Sequence, residues 1–299
     1  MASNVTTAKE TNVIEKSKIA KVRELDFAML FGENINSLIT MLGVTRRIPV
    51  TAGAVLKKLT VTGTLNDTTV GEGEIIPLSL YETKWTAVGE MTLDKYRKAT
   101  TAEAILKGGF DQAVNDTDER MVLDIQKGIR AKLIESLDDD DATEVAGDTL
   151  QEALAQAWGQ LQVKFEDDAI QAVYFINPLD VADYLATAQV TVQTDFGFTY
   201  IENFLGLGTV IMTPQITKGE LYATASQNIV VYYIDVNESN GLGDAFDFTT
   251  DPATGLVGIH EDSNYTRLQS ETVAISGVTF FAEMPAGIVK GTIGEAQSE

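Results

Sequence analysis

Residues 48–98 alternate like β-strands yet hold too little apolar mass to build a core, and this constrains the chain more than any motif does. LKKLTVTGTL sets Leu59, Val61, Gly63 and Leu65 against Thr60, Thr62 and Thr64. NDTT turns the chain, VGEGEIIPLSL follows, and YETKWTAVGEMTL closes the region. That is the period of two expected of strands in a hairpin. A long, half-polar hairpin does not hold itself together in water and must lie on another surface. The acidic, glycine-spaced run Gly71, Glu72, Gly73 and Glu74, with Ile75 and Ile76 behind it, is the segment expected to meet another subunit. An ordinary sheet edge is the competing reading.

The start of the chain poses a similar problem. Residues 1–23 are polar and locally basic, and read as lacking a fold of their own. From Val22 to Leu42 apolar residues recur at helical spacing, with Gly43 as the stop. Leu25, Met29, Leu30 and Leu38 are the candidate contacts if this helix is an arm reaching a neighbour. A plain N-terminal packing helix is the alternative.

Residues 101–137 carry the strongest helical pattern. Thr100 or Thr101 can cap it, Glu103 falls in its first turn, and Gly108–Gly109 interrupts or begins the main run. Phe110, Val114, Met121, Ile125, Ile129, Leu133 and Leu137 form one stripe, so the helix is expected to lie as a spine of about 40 Å across other elements. The run Asp138 to Asp141 ends it and reads as a solvated loop, with calcium binding as the sharper and weaker option. Between 148 and 228 helix and strand alternate: Asp148 as a cap, with Gln151 at the capping-box position, opens a helix whose buried face includes Leu154, Trp158 and Leu161. IQAVYFI is a strand buried on both sides, Asn177–Pro178 starts another helix, and GTVIM is a further strand. NIVVYYIDV and ETVAISGVTFFAEM return to β, separated by a Gly/Asp-rich stretch.

The inventory of chemistry is short. The 299 residues include no cysteine and one histidine, which removes thiol nucleophiles, disulfides and multi-histidine metal sites. There is no phosphate loop, no nucleophile elbow, and only isolated GxG pairs at Gly206/Gly208 and Gly241/Gly243. A calcium loop from Asp235 fails, because Asn240 stands where the turn glycine belongs and Phe246 where the closing glutamate belongs. His260 lies beside Glu261 and Asp262, a possible general-base pair with no identifiable nucleophile, and a structural histidine is the better reading. No catalytic residue, cofactor or metal ligand is therefore expected, and the chain is expected not to be an enzyme. Charge is uneven: residues 1–132 hold 18 Lys/Arg against 17 Asp/Glu, and residues 133–299 hold four against 27. Such an acidic second half repels nucleic acid and offers no phosphate-gripping surface. No run is long and apolar enough for a membrane helix, and no secretory leader is seen.

Taken in order, the pieces resemble the major capsid proteins of tailed bacteriophages with the Hong Kong 97-type fold. VGEGEIIPLSLYETK is similar to their extended loop, and TAEAILKGGFDQAVNDTDERMVLDIQKGIRAKLIESL to the spine helix and its lead-in. AVYFINPLDVADYL resembles the strand–Asn-Pro–helix of the axial domain, and NIVVYYIDVN with ETVAISGVTFFAEMPAGIVK the late strands. The resemblance implies an α+β chain: an N-terminal arm (1–46), an extended β-hairpin loop (47–98), a peripheral domain with the spine helix (99–147 and 229–280), and an axial α/β domain (148–228 and 281–299). It implies pentamers and hexamers of the same chain closing an icosahedral virion shell around DNA, without sequence-specific DNA contacts and without a membrane. An encapsulin-type compartment is the neighbouring alternative, and an acidic binding module the more distant one. The family's crosslink between a loop lysine and an asparagine finds no marked pair here. With the folded pattern starting near residue 22, a separate scaffolding protein and a portal are the expected partners, with assembly in the host bacterial cytoplasm.

Overall fold

The structure is a computed structural model and describes residues 16–66, 69–166, 169–185, 192–195, 198–236, 246–250 and 255–294. Four sheets and five helices make up the described part. The largest sheet has seven strands in the order β5 (Thr143–Gly147), β16 (Ile288–Ile293), β10 (Glu220–Ala225), β6 (Ala172–Ile176), β9 (Gly208–Met212), β8 (Phe198–Phe204) and β7 (Gln193–Asp195). β6 sits centrally, and all five of its residues are buried, as its unbroken apolar run requires. Val173 and Phe175 face one core, while Ala172, Tyr174 and Ile176 face another.

The second of these cores is closed by α4 (Leu150–Lys164) and α5 (Pro178–Leu185). Capping sets both starts. For α4 the cap is Thr149, whose hydroxyl accepts the Glu152 N–H at 3.2 Å, while Glu152 reaches back to the Asp148 N–H at 3.1 Å. The expected Asp148 cap is thus displaced by one residue, because the hydroxyl and the glutamate satisfy both orphan donors between them. Trp158, expected on the buried face, is exposed, since Ala153, Leu154, Ala157 and Leu161 already fill the stripe. For α5 the Asn177 side chain accepts the Leu179 N–H at 2.9 Å and donates to the Ile216 carbonyl at 2.7 Å, so one residue caps the helix and ties it to a distant turn.

A four-stranded sheet has the order β12 (Thr249–Thr250), β13 (Val257–Asn264), β14 (Gln269–Ser276) and β4 (Asp94–Thr101). The leading helix packs on its β12 and β13, while the spine α3 (Asp116–Leu137) lies chiefly against the strand Val278–Ala282 and reaches β4 through Lys98 and Asp94. Val122, Ile125, Ile129, Leu133, Ile134 and Leu137 are the buried line of α3. The lead-in is broken as Gly108–Gly109 suggested. α2 (Ala102–Gly108) is capped by Thr101, and one π-helical turn over Asp111–Asn115 intervenes before α3. The continuous spine is therefore 22 residues, about 33 Å, shorter than expected. Phe110 is exposed and does not join the stripe. The long run 271–284 is not one strand. It passes through Gly277 from β14 into β15 (Val278–Ala282), which belongs to a three-stranded sheet with β11 (Ile229–Tyr233) and β1 (Arg46–Pro49). Strand β5 corrects the expected domain boundary: it pairs in parallel with β16 in the seven-stranded sheet, and does not stay with the spine that precedes it.

The largest correction concerns the start of the chain. Helix α1 (Lys16–Met41) is no free arm from Glu24 onward. Phe27, Ala28, Phe31, Ile35, Leu38, Ile39 and Leu42 are buried in the same core as α3, the inner face of the seven-stranded sheet and strands from both other sheets. Leu38, expected to meet a neighbour, has no exposed surface at all. The reason is the width of the apolar face. Phe27, Phe31 and Ile35 lie on the same side as Leu38, and together they outweigh the solvent-facing side.

Candidate assembly surface

What remains outside the body is the hairpin of β2 (Val55–Thr64) and β3 (Leu80–Glu90). Among the described strands these two pair only with each other. Their register puts Leu59 opposite Trp85, Val61 opposite Thr83 and Gly63 opposite Tyr81, after a bulge between Leu56 and Lys57. With a side-chain period of two, Leu59, Val61, Tyr81 and Trp85 share one face, and Thr60, Thr62, Thr64, Glu82 and Lys84 the other. The Tyr81 ring lies across Gly63, where any Cβ would sit 2.1 Å from a ring carbon, so the glycine is what lets the aromatic lie flat on the sheet.

Among the described residues nothing covers the apolar face. Val61 is 56% exposed, Trp85 57% and Tyr81 61%. The tip is more open still, with Ile75 at 93% and Leu78 at 90%. Contiguous exposed apolar and aromatic surface of this kind marks an interaction site. The tip is nevertheless structured. Glu74 donates its N–H to the Gly71 carbonyl at 3.1 Å, its carboxylate accepts the Gly71 N–H at 3.0 Å, and Gly73 takes φ +86°, the third position of a type II turn. All six residues expected there to contact a neighbour, Gly71 to Ile76, are exposed. Of the four expected on the leading helix, Met29 and Leu30 are exposed, Leu25 is half-buried and Leu38 is buried. Sequence reasoning passed over Tyr81, Trp85 and Leu78, although the alternation that placed Leu59 and Val61 on one face could have found the first two.

The hairpin root is held tightly. Leu56 and Met91 are buried, and Gly53 and Met91 donate to the Met91 and Ala54 carbonyls at 2.8 Å each. The Leu59 N–H donates to the Glu283 carbonyl, and the Glu283 carboxylate is gripped by Arg46 at 2.6 and 3.3 Å and by the Tyr232 hydroxyl at 2.9 Å. Lys58 forms an ion pair with Asp139 of the acidic run. Burial pulls the Lys58 ammonium below its usual range, while Asp141 and Asp140 push it back. Asp138 is engaged by Lys290 and the Tyr222 hydroxyl, both at 3.0 Å. Asp138 and Asp139 of this loop are thus committed to protein cations, and no group of three or more metal-ligating side chains occurs among the described residues.

His260 is half-buried on β13, edge-on to Phe248 at 6.5 Å between ring centroids. Its neighbour Glu261 points to the opposite face of the strand, where Arg23 holds it. The suspected His260–Glu261 general-base pair is therefore not formed. The Asp235 loop cannot be compared with a calcium site, as residues 237–245 lie outside the described residues. Among the described residues no helix is long and apolar enough to cross a membrane.

No protein-family model and no curated protein sequence matches the chain. Solved structures do. A chain of Gordonia phage Cozz superposes with a TM-score of 0.52 at 11% identity, covering 87% of each chain. A chain of Mycobacterium phage Patience gives 0.50 at 10%, covering 98% of this chain and 95% of that one. The holo-SrpI encapsulin complex from Synechococcus elongatus PCC 7942 gives 0.50 at 8%, covering 87% and 89%. The architecture is that of shell-forming capsid folds. In particular, this chain has the Hong Kong 97-type fold, with its spine helix, projecting hairpin and mixed α/β sheet layer.

Proposed function

We propose that the chain is the major subunit of a phage head shell, self-assembling as pentamers and hexamers into an icosahedral wall around DNA. The observation that carries this reading is the hairpin: an apolar, aromatic face on a rigidly rooted ladder, with nothing among the described residues to cover it. Copies of the same chain, repeated by symmetry, supply that cover at every position of a closed lattice. The exposed Met29 and Leu30 on the leading helix add a second patch for the same purpose. The fold supports the reading, since it is shared with chains from phage particles. The acidic residues 133–299 suit a wall to which packaged DNA does not adhere. On this reading the subunit is not an enzyme, works with a separate scaffolding protein and a portal, and is assembled in the bacterial cytoplasm before residing in the virion.

Negative-stain microscopy with sizing of the purified chain, alone and with its scaffolding protein, tests the proposal. Closed shells or rings of pentamer and hexamer size are expected, and uniform monomers under all conditions would overturn it. Deleting residues 66–78 should leave a folded subunit that assembles poorly; unimpaired assembly would remove the hairpin from the account. Shells that co-purify with a protein cargo and no genome would point to the encapsulin-type compartment instead.

A further inference from the structure

The core holds a charged cluster that shell building does not require. It lies where the first described turns of α1 cross β13 and the start of α3. Arg23 Nε donates to the Glu261 carboxylate at 2.5 Å and stands 3.7 Å from that of Asp118. Lys98, from β4, pairs with Asp118 and also donates to the Val114 carbonyl at 2.9 Å and the Thr117 hydroxyl at 2.7 Å. Glu24, from α1, accepts the Glu261 backbone N–H at 2.7 Å and the Thr249 hydroxyl of β12. Glu24, Asp118 and Glu261 are nearly inaccessible, and Phe110 stacks on the Arg23 guanidinium at 5.2 Å. The other charged side chains adjacent in sequence among the described residues, Asp26, Arg97, Asp116, Glu119, Arg120 and Asp262, are exposed, and Arg97 is taken by Glu271. Among the described residues, then, three carboxylates face two cations in a buried site.

We propose that this cluster is a proton-loaded latch: its unmatched negative charge is neutralised by one proton on Glu261 in mild acid, and the N-terminal half of α1 then docks more tightly on the four-stranded sheet. Burying an unbalanced charge is costly, and the protein relieves that cost by taking up a proton. Burial pushes the Glu261 carboxyl above its ordinary value; Arg23 opposes this, and Asp118 and Glu24 reinforce it. When α1 lifts away, Glu261 loses its cover and returns toward the ordinary carboxylate value. Docked α1 thus binds the proton more strongly than lifted α1 does. By linkage, docking strengthens as pH falls through the raised value, and the gain is complete below the ordinary value near 4.5. At neutral pH the latch is loosest.

Hydrogen exchange of the full-length chain, followed on peptides within residues 24–35 and corrected for the intrinsic pH dependence of exchange, reads this directly. In the wild type, opening should be several-fold rarer near the ordinary carboxylate value of 4.5 than at neutral pH. Glu261→Gln keeps the shape of the side chain and removes its charge, so protection should become independent of pH and at least match the wild type at neutral pH. Arg23→Met removes the cation that, among the described residues, touches Glu261 and should move the wild-type transition to higher pH, whereas loss of a merely structural contact would loosen α1 equally at every pH. Wild-type protection that is flat or falls in acid, or a Glu261→Gln chain that keeps the pH dependence, would overturn the latch.

Discussion

Trp85→Ala separates the hairpin's role in assembly from any role in folding. A Trp side chain presents up to about 250 Å², and with 57% of it open roughly 140 Å² awaits a partner. At about 25 cal/mol per Å² this corresponds to ~3.5 kcal/mol per copy, less about 1 kcal/mol for ordering the side chain on docking. A contact weakened by about 2.5 kcal/mol is roughly 60-fold weaker. Within the isolated subunit Trp85 stands opposite Leu59 on the ladder, and such a cross-strand pair is worth roughly 0.2–1 kcal/mol. The critical subunit concentration for shell formation, read by light scattering and sedimentation, should rise by one to two orders of magnitude. Urea unfolding of the unassembled subunit should change by less than about 1 kcal/mol. An unchanged critical concentration, or a subunit that loses several kcal/mol, would show that the exposed face is not where copies meet.

Other perturbations address the body. Leu38→Ala should cost about 2–5 kcal/mol of subunit stability, whereas Met29→Ala, nine residues earlier on the same helix, should stay within about 0.5 kcal/mol; equal effects in denaturant titrations would contradict the packing of α1. Lys58→Met should leave the subunit folded but broaden spin-label distances between the hairpin tip at Gly73 and the body, because the pair with Asp139 is the only side-chain ion pair at the root that belongs to β2 among the described residues; an unchanged distribution would give that role to the backbone alone. The hydrogen bonds from Lys290 and Tyr222 hold the Asp138 carboxyl below its ordinary value. Its contribution is therefore present above the ordinary value near 3.8 and is lost as pH falls through the lower folded one. Asp138→Asn should flatten the acid limb of stability below about pH 4, and only slightly, since the group is largely exposed.

Much of this could be read from the residues, for physical reasons that differ by segment. IQAVYFI and Asn177–Pro178 are locally decisive: an apolar run with no polar side admits only a two-faced burial, and an asparagine before proline starts a helix. The hairpin was legible as a deficit, because strands with threonine on one side and few apolar residues on the other cannot close a core. Two elements were misread where tertiary partners decide. The leading helix looked thin when judged by Leu25, Met29, Leu30 and Leu38, but Phe27, Phe31 and Ile35 give it a wider face that three sheets share. The strand 143–147 carries no mark of its destination, since its partner β16 lies about 140 residues further on and only the fold brings them into register. The charged cluster was invisible for the same reason: Arg23, Lys98, Asp118 and Glu261 come from four distant stretches.

The continuity of the main core has a mechanical consequence. Residues from α1, α3 and three of the four sheets pack into one cluster, so these parts, apart from the first turns of α1, hold together as one block. Subunits of a closed surface stand in unequal local curvature, and a rigid block cannot share out that difference internally. On the proposed function the adjustment falls on the outer ladder, beyond the anchors at Lys58 and Leu59, where the hairpin leaves the block and can bend to suit several positions.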